Sequence, residues 1–164
     1  MKTQTTQRPL EPEGSSVPYS VISSPTEEPY AAKVAQVYND SPRDWQKVLG
    51  QRMWFQFGVY PPGRSGDVSL DEAGRLYLEH QLEIAGYGGH SPQQPTRILD
   101  VGCGWGDPLV YLAQRFDQCT VLDGINISPP QLAHAHQMVT QGGLGDRVRL
   151  YLCNAQDIDQ LPMG

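Results

Sequence analysis

Ile98-Leu99-Asp100-Val101-Gly102-Cys103-Gly104-Trp105-Gly106-Asp107 joins a short apolar run to a segment of helical periodicity through three glycines, each separated from the next by one residue. Without β-carbons, Gly102, Gly104 and Gly106 permit the positive φ of a tight turn and let the backbone approach a ligand. Asp100 stands at the end of the apolar run, where a carboxylate orients the loop amides and meets a ligand ammonium group directly or through water. Similar turns open the dinucleotide-binding units of dehydrogenases. Three details argue against that reading: the G-x-G-x-G spacing, the position deep in the chain after two or three helices, and Asn126 where a dinucleotide fold offers an acidic residue to the ribose.

Outward from the turn the pattern alternates. Arg97 to Val101 reads as a buried strand, Pro108 to Phe116 as a helix, Thr120 to Ile125 as a strand, Pro129 to Val139 as a helix and Arg147 to Cys153 as a strand. This order with short loops predicts an α/β fold with a parallel sheet and right-handed crossovers. Leu109, Leu112, Ala113 and Phe116 share a helix face, and Val148, Leu150 and Leu152 alternate along a strand; both sets are expected in the core. Ser128 and Gln131 have capping-box spacing, so Gln131 either caps the helix opened by Pro129 or reaches a ligand. Trp105 either covers a ligand or packs the helix that follows it.

Upstream, residues 1–29 are rich in Thr, Gln, Ser, Pro and Glu and predict a flexible tail. Residues 30–92 predict helices and a lid, and residues 93–164 the sheet domain. Ala31 to Tyr38 reads as a helix with Val34, Val37 and Tyr38 on one face. Pro42 to Leu49 reads as another, capped by Ser41 and ended by Gly50. The aromatic stretch Met53 to Tyr60 predicts a lid, stopped by Pro61-Pro62-Gly63, with covering a ligand and plain packing both open for Trp54, Phe55 and Tyr60. Ser69 and Glu72 form a capping box ahead of a helix whose Ala73, Leu76, Tyr77 and Ile84 share a face. Gly86, Gly88, Gly89 and Pro92 then break the chain into a linker.

With 164 residues and 38% hydrophobic content, the chain suits one domain with a real core. A net charge of −6 argues against a nucleic-acid binder working through phosphate neutralisation. No apolar run follows Met1, so neither a secretory leader nor a membrane span is expected, and cytoplasmic residence is the default. Cys103, Cys119 and Cys153 are odd in number and lie in apolar segments, which predicts reduced, buried thiols. His134 and His136 lack the spacing of a metal site, and no bound metal is expected.

The segment Arg97 to Pro162 resembles the first half of small-molecule class I methyltransferases, particularly the group near sterol, ubiquinone and cyclopropane-fatty-acid modifying enzymes. The resemblance implies S-adenosyl-L-methionine as cofactor. Ile98 to Gly106 is similar to the loop that holds its methionine end, which assigns Asp100, Gly102, Cys103, Gly104 and Gly106 to that end. Gly124-Ile125-Asn126-Ile127-Ser128 with Gln131 is similar to the second-strand motif, which assigns Asn126, Ile127 and Gln131 to the ribose and the adenine edge. Leu152-Cys153-Asn154-Ala155-Gln156-Asp157 with Leu161-Pro162 is similar to the third-strand motif, which assigns Asn154, Ala155 and Gln156 to the adenine. Asn126 and Asn154 replace the commoner acidic residues. Val37-Tyr38-Asn39 and Gln56-Phe57-Gly58-Val59-Tyr60 resemble the family's lid segments, with Gln56 in place of a common His.

The family fold this implies is a Rossmann-like sheet of seven strands in the order 3-2-1-4-5-7-6. The sequence reaches Gly164 ahead of the fourth strand, so three strands are expected, with the first left as an edge that invites pairing with a second copy or a partner chain. The acceptor side of the site would follow the fourth strand, and no catalytic residue is assigned. The function implied is methyl transfer to a small-molecule acceptor, lipidic or natural-product. The alternative is a truncated, non-catalytic module that binds the cofactor or dimerises.

Overall fold

A computed structural model describes residues 17–24, 29–54, 58–60, 62–63, 66–89 and 93–162. The elements are β1 (Ser20–Val21), α1 (Pro29–Val37), α2 (Pro42–Leu49), α3 (Leu70–Ile84), β2 (Arg97–Val101), α4 (Asp107–Arg115), β3 (Val121–Asn126), α5 (Pro129–Gln141) and β4 (Val148–Leu152), then a 3-10 turn (Ala155–Gln160). The sheet is four-stranded in the order β1-β4-β3-β2, and every pairing is parallel. The expected alternation of strand and helix from Arg97 onward is therefore present, and β2 lies at the edge as anticipated.

Side chains alternate across the sheet because strand residues point to opposite faces. On one face Leu122, Val148, Leu150 and Leu152 meet Leu109, Leu112, Ala113 and Phe116 of the α4 region and Leu132, Ala135 and Val139 of α5 in one buried cluster. Gly124 belongs to this face, and a β-carbon there would stand 2.5 Å from Leu109, so its absence lets α4 close on the sheet. Arg147 closes the far end of α4, donating to the carbonyls of Ala113, Phe116 and Cys119, where a cation suits the helix C-terminus. On the opposite face Asp123 accepts from Arg149 at 2.7 Å and from Arg97 at 3.3 Å. Ile125, Tyr151, Cys153 and Leu161 pack there with Ile22, while Leu99 and Val101 of β2 stay 42% and 53% exposed.

Four expectations differ. Within the stretch expected to be a flexible tail, Ser20–Val21 forms a strand paired with Tyr151 and Leu152, making four strands and not three. Composition weighs side chains, whereas this strand is held by backbone bonds to an open edge: the amides of Ile22 and Ser23 both donate to the Leu152 carbonyl, at 2.9 and 3.2 Å. Residues 1–16 of that tail lie outside the described residues. In α1 the buried residues are Ala31 and Ala35, with Val37 60% exposed, because small side chains allow the closer approach. In α3 the buried residues are Ala73, Gly74 and Leu78, and Tyr77 and Ile84 point outward. That face is chosen by the segment before it: a β-carbon on Gly74 would meet Trp54 at 2.8 Å, and the Val59 amide donates to the Ala73 carbonyl at 2.9 Å. Residues 55–57 of the expected lid lie outside the described residues. The capping box at Ser69 is half formed, since Ser69 accepts from the Glu72 amide while the Glu72 carboxylate turns to Arg75, a charged partner stronger than a neutral amide.

Asp107 opens α4 almost wholly buried, with one carboxylate oxygen lacking a hydrogen-bond partner among the described residues. Burial pushes its carboxyl up to about 7; the Arg52 charge opposes the rise and the Asp71 charge adds to it. A carboxyl raised in the folded state stabilises most below its ordinary titration range, and that contribution is lost as pH rises through about 7. The ligand-free chain is predicted to melt several degrees lower at about pH 8 than at about pH 5, and Asp107→Asn to flatten that slope. A thermal scan across pH by circular dichroism checks it; an equally steep slope in the variant would assign the titration elsewhere.

Candidate functional site

The strands β2, β3 and β4 end together, and a cavity of about 350 Å3 opens beyond their carboxyl ends, where open α/β sheets place their ligands. The turn after β2 forms its floor. The amides of Gly102 and Cys103 donate to the Ile125 carbonyl at 2.9 and 3.0 Å, which locks the turn to β3. Gly102 and Gly104 have φ of 81° and 54°. A β-carbon on Gly102 would meet nothing within 4 Å, and one on Gly104 only the Gly102 carbonyl at 3.9 Å, so both glycines border open space in the cavity. Gly106 serves a different end. A β-carbon there would stand 2.7 Å from Ala135, so its absence seats α4 against α5 and does not clear room for a ligand.

Of the residues assigned from the sequence, Gly102, Cys103, Gly104, Asn126, Ile127, Gln131, Asn154 and Ala155 line the cavity. Asp100 lies beneath the turn, not in the wall, and its Oδ2 is buried without a hydrogen-bond partner among the described residues. Burial pushes its carboxyl up to about 6. Burial, reinforced by the nearby Asp100 charge, also drives the Cys103 thiol upward, so it is an inert wall group and not a nucleophile. Gln156 is exposed, and its amide donates to Asn154 Oδ1 at 3.1 Å; it is not brought to the cavity.

Asn126 shows why an amide replaces the commoner carboxylate. Its Nδ2 donates to Gln131 Oε1 at 2.7 Å and to the Gly104 carbonyl at 3.4 Å, while its Oδ1 accepts from the Ile127 amide at 2.9 Å. An aspartate would set a charged oxygen against two acceptors. Gln131 thus does something neither sequence alternative foresaw: its side chain fixes Asn126, while Ser128 Oγ caps its amide at 3.5 Å. Ser128 Oγ also faces the Tyr38 carbonyl and Asn39 Oδ1, both at 3.3 Å, and so ties α5 to the end of α1.

Sequence reasoning left Met53, Val34, Val101, Pro108, Ile125 and Cys153 out of the site, and all of them line it together with Tyr38 and Trp105. Met53 is 2% exposed with a φ of 48°, an uncommon backbone for a residue with a side chain. Its only sequence signal was its place at the head of the aromatic stretch. Trp105 lines the cavity, and it packs not on the helix that follows it but against Leu49 of α2 and Met53. Tyr38 stacks on Trp45 with centroids 5.8 Å apart, and Trp105 meets His134 edge-on at 5.5 Å.

These features fit S-adenosylmethionine: glycines bordering open space, a buried Asp100 oxygen with no hydrogen-bond partner among the described residues, and apolar lining at Ile125, Ile127 and Cys153. The size is that of a small-molecule site.

The family model described as mycolic acid cyclopropane synthetase matches residues 26–163. The chain is 28% identical over 124 residues to a probable chloroplastic tocopherol O-methyltransferase of Oryza sativa subsp. japonica, covering 74% of this chain and 33% of that relative. It is 30% identical over 127 residues to ajmaline N-methyltransferase of Rauvolfia serpentina, covering 76% of this chain and 42% of that one. The chain therefore spans less than half the length of these curated relatives. Among solved structures, geranyl diphosphate C-methyltransferase from Streptomyces coelicolor A3(2), in complex with Mg2+, geranyl diphosphate and S-adenosyl-L-homocysteine, superposes with a TM-score of 0.53 at 23% identity, covering 77% of this chain and 48% of that one. No described helix is long and apolar enough to cross a membrane. With the family match extending over most of its length, the chain belongs to the mycolic acid cyclopropane synthetase family.

Proposed function

We propose that this chain holds S-adenosylmethionine and forms the cofactor side of a site for methyl transfer to a small, largely apolar acceptor of lipidic or natural-product type. The observation that carries the reading is the pairing of the open cradle at Gly102 and Gly104 with the partnerless Asp100 carboxylate beneath it. Bound there, the cofactor supplies a methyl group on a sulfonium centre. Asp100 in its ionised form attracts the ammonium of the methionine end. Asn126 has one Oδ1 lone pair left for a ribose hydroxyl, and Asn154 with Ala155 borders the adenine. Val34, Tyr38 and Met53 close the cavity from the helical side and exclude water, which methyl transfer needs more than it needs a proton carrier. The names of the relatives give oxygen in one case and nitrogen in the other as the methylated atom.

A second reading rests on a separate observation: among the described residues β2 pairs on one side only, with Leu99 and Val101 exposed. A second copy of the chain pairing along this edge would bury them.

Calorimetric titration with S-adenosylhomocysteine is predicted to show saturable binding that Gly104→Val abolishes, because valine is strained at a φ of 54° and fills the cradle. Ammonium recognition requires Asp100 to be ionised, so affinity should fall as pH drops below about 6, up to about tenfold per pH unit, while Asp100→Asn binds weakly at every pH. A folded chain that binds nothing, or binds equally well with Gly104→Val, would overturn the assignment. For the second reading, light scattering is predicted to show a concentration-dependent dimer that lysines at Leu99 and Val101 disperse; a monomer at every concentration would contradict it.

A further inference from the structure

The cavity wall at Asn154 is not held by the sheet alone. Its neighbour Cys153 donates its amide to the Asn126 carbonyl of β3 at 3.0 Å. The Asn154 amide, one residue on, donates to Ser23 Oγ at 2.9 Å across 131 residues of sequence. The amides of Ile22 and Ser23 are themselves anchored on the Leu152 carbonyl at the end of β4, and Ile22 packs against the cluster of Ile125, Tyr151, Cys153 and Leu161. The N-terminal strand therefore grips β4 at its last residue and reaches over its end to catch the peptide that turns into the cavity.

The grip sets more than one peptide. Asn154 Oδ1 accepts from the Gln156 amide and so begins the 3-10 turn at Ala155–Gln160. The orientation of Asn154 thus decides where both Asn154 and Ala155 stand along the cavity. A Ser23 hydroxyl removed without replacement would leave the Asn154 amide seeking another partner, with water or a rotated peptide the available choices.

We infer that Ser23 is a positioning residue for the nucleoside end of the site: through its hydroxyl bond to the Asn154 amide, the N-terminal strand fixes the wall against which an adenine is read. The inference rests on the cofactor reading above. It touches no reacting atom and acts through Asn154. It also gives the two-residue β1 a use beyond covering a sheet edge.

The test compares an isosteric pair, Ser23→Thr and Ser23→Val, which differ only in whether a hydroxyl is present. Each is titrated with S-adenosylhomocysteine and with S-inosylhomocysteine, which carries an oxo group in place of the adenine amine. The native chain and Ser23→Thr are expected to prefer the adenine ligand, whereas Ser23→Val should lose about tenfold in affinity for it and most of the preference, with melting temperature little changed. Amide exchange at Asn154 should quicken in Ser23→Val alone. If Ser23→Val keeps both affinity and preference, or weakens both ligands equally in step with a lowered melting temperature, the positioning role is overturned. A native chain that binds neither ligand overturns the cofactor reading, and the role of Ser23 with it.

Discussion

The pair of hydrogen bonds that the Ile125 carbonyl accepts from the amides of Gly102 and Cys103 is the constraint on which the rest of the site depends. It fixes the turn leaving β2 to the middle of the sheet, so that Gly102 and Gly104 line the cavity at the ends of β3 and β4. From that point the chain must enter α4, and Gly106 allows it to do so in contact with Ala135. Asn126 then supports the Gly104 carbonyl from the side, held in turn by Gln131. Each of these is a backbone position secured by the neighbouring strand or helix, which is how a loop becomes a preorganised binding surface.

The turn also concentrates uncompensated charge. Asp100 precedes it and Asp107 follows it, each with a buried carboxylate oxygen lacking a partner among the described residues. Buried, unpaired carboxylates destabilise the folded state. A ligand cation beside Asp100 would offset its cost. The counterpart of Asp107 is the Arg52 charge, opposed by Asp71. Burial raises both carboxyls, so the same short segment carries two titrating groups on either side of the turn.

The parallel sheet, its helices and half of the cavity wall were legible in the sequence because local rules decide them: apolar alternation in β2 to β4, proline and serine at helix starts, and glycines where φ must be positive. Legibility failed where a distant backbone decides. Nothing about Ser20–Val21 announces a strand; its partner lies in β4, and only the open edge there gives it a place. The buried face of α3 was set by Trp54 against Gly74, a contact that periodicity does not register. Asn126 lines the cavity, yet the reason for an amide there is a pair of acceptors, Gln131 and the Gly104 carbonyl, that only the folded chain assembles. Gly106 was grouped with its neighbours because spacing cannot separate a glycine that admits a ligand from one that admits a helix.

The proposed function requires S-adenosylmethionine to sit in the cavity lined by Gly102, Gly104, Asn126 and Asn154. Amide chemical-shift mapping of the nitrogen-15-labelled chain during titration with S-adenosylhomocysteine tests that placement most directly. The account predicts saturable shifts at Gly102 to Trp105, at Asn126 and Ile127 and at Asn154 and Ala155, with α3 and the Arg97–Asp123–Arg149 face little perturbed. Shifts confined to other surfaces, or none at saturating ligand, would contradict it.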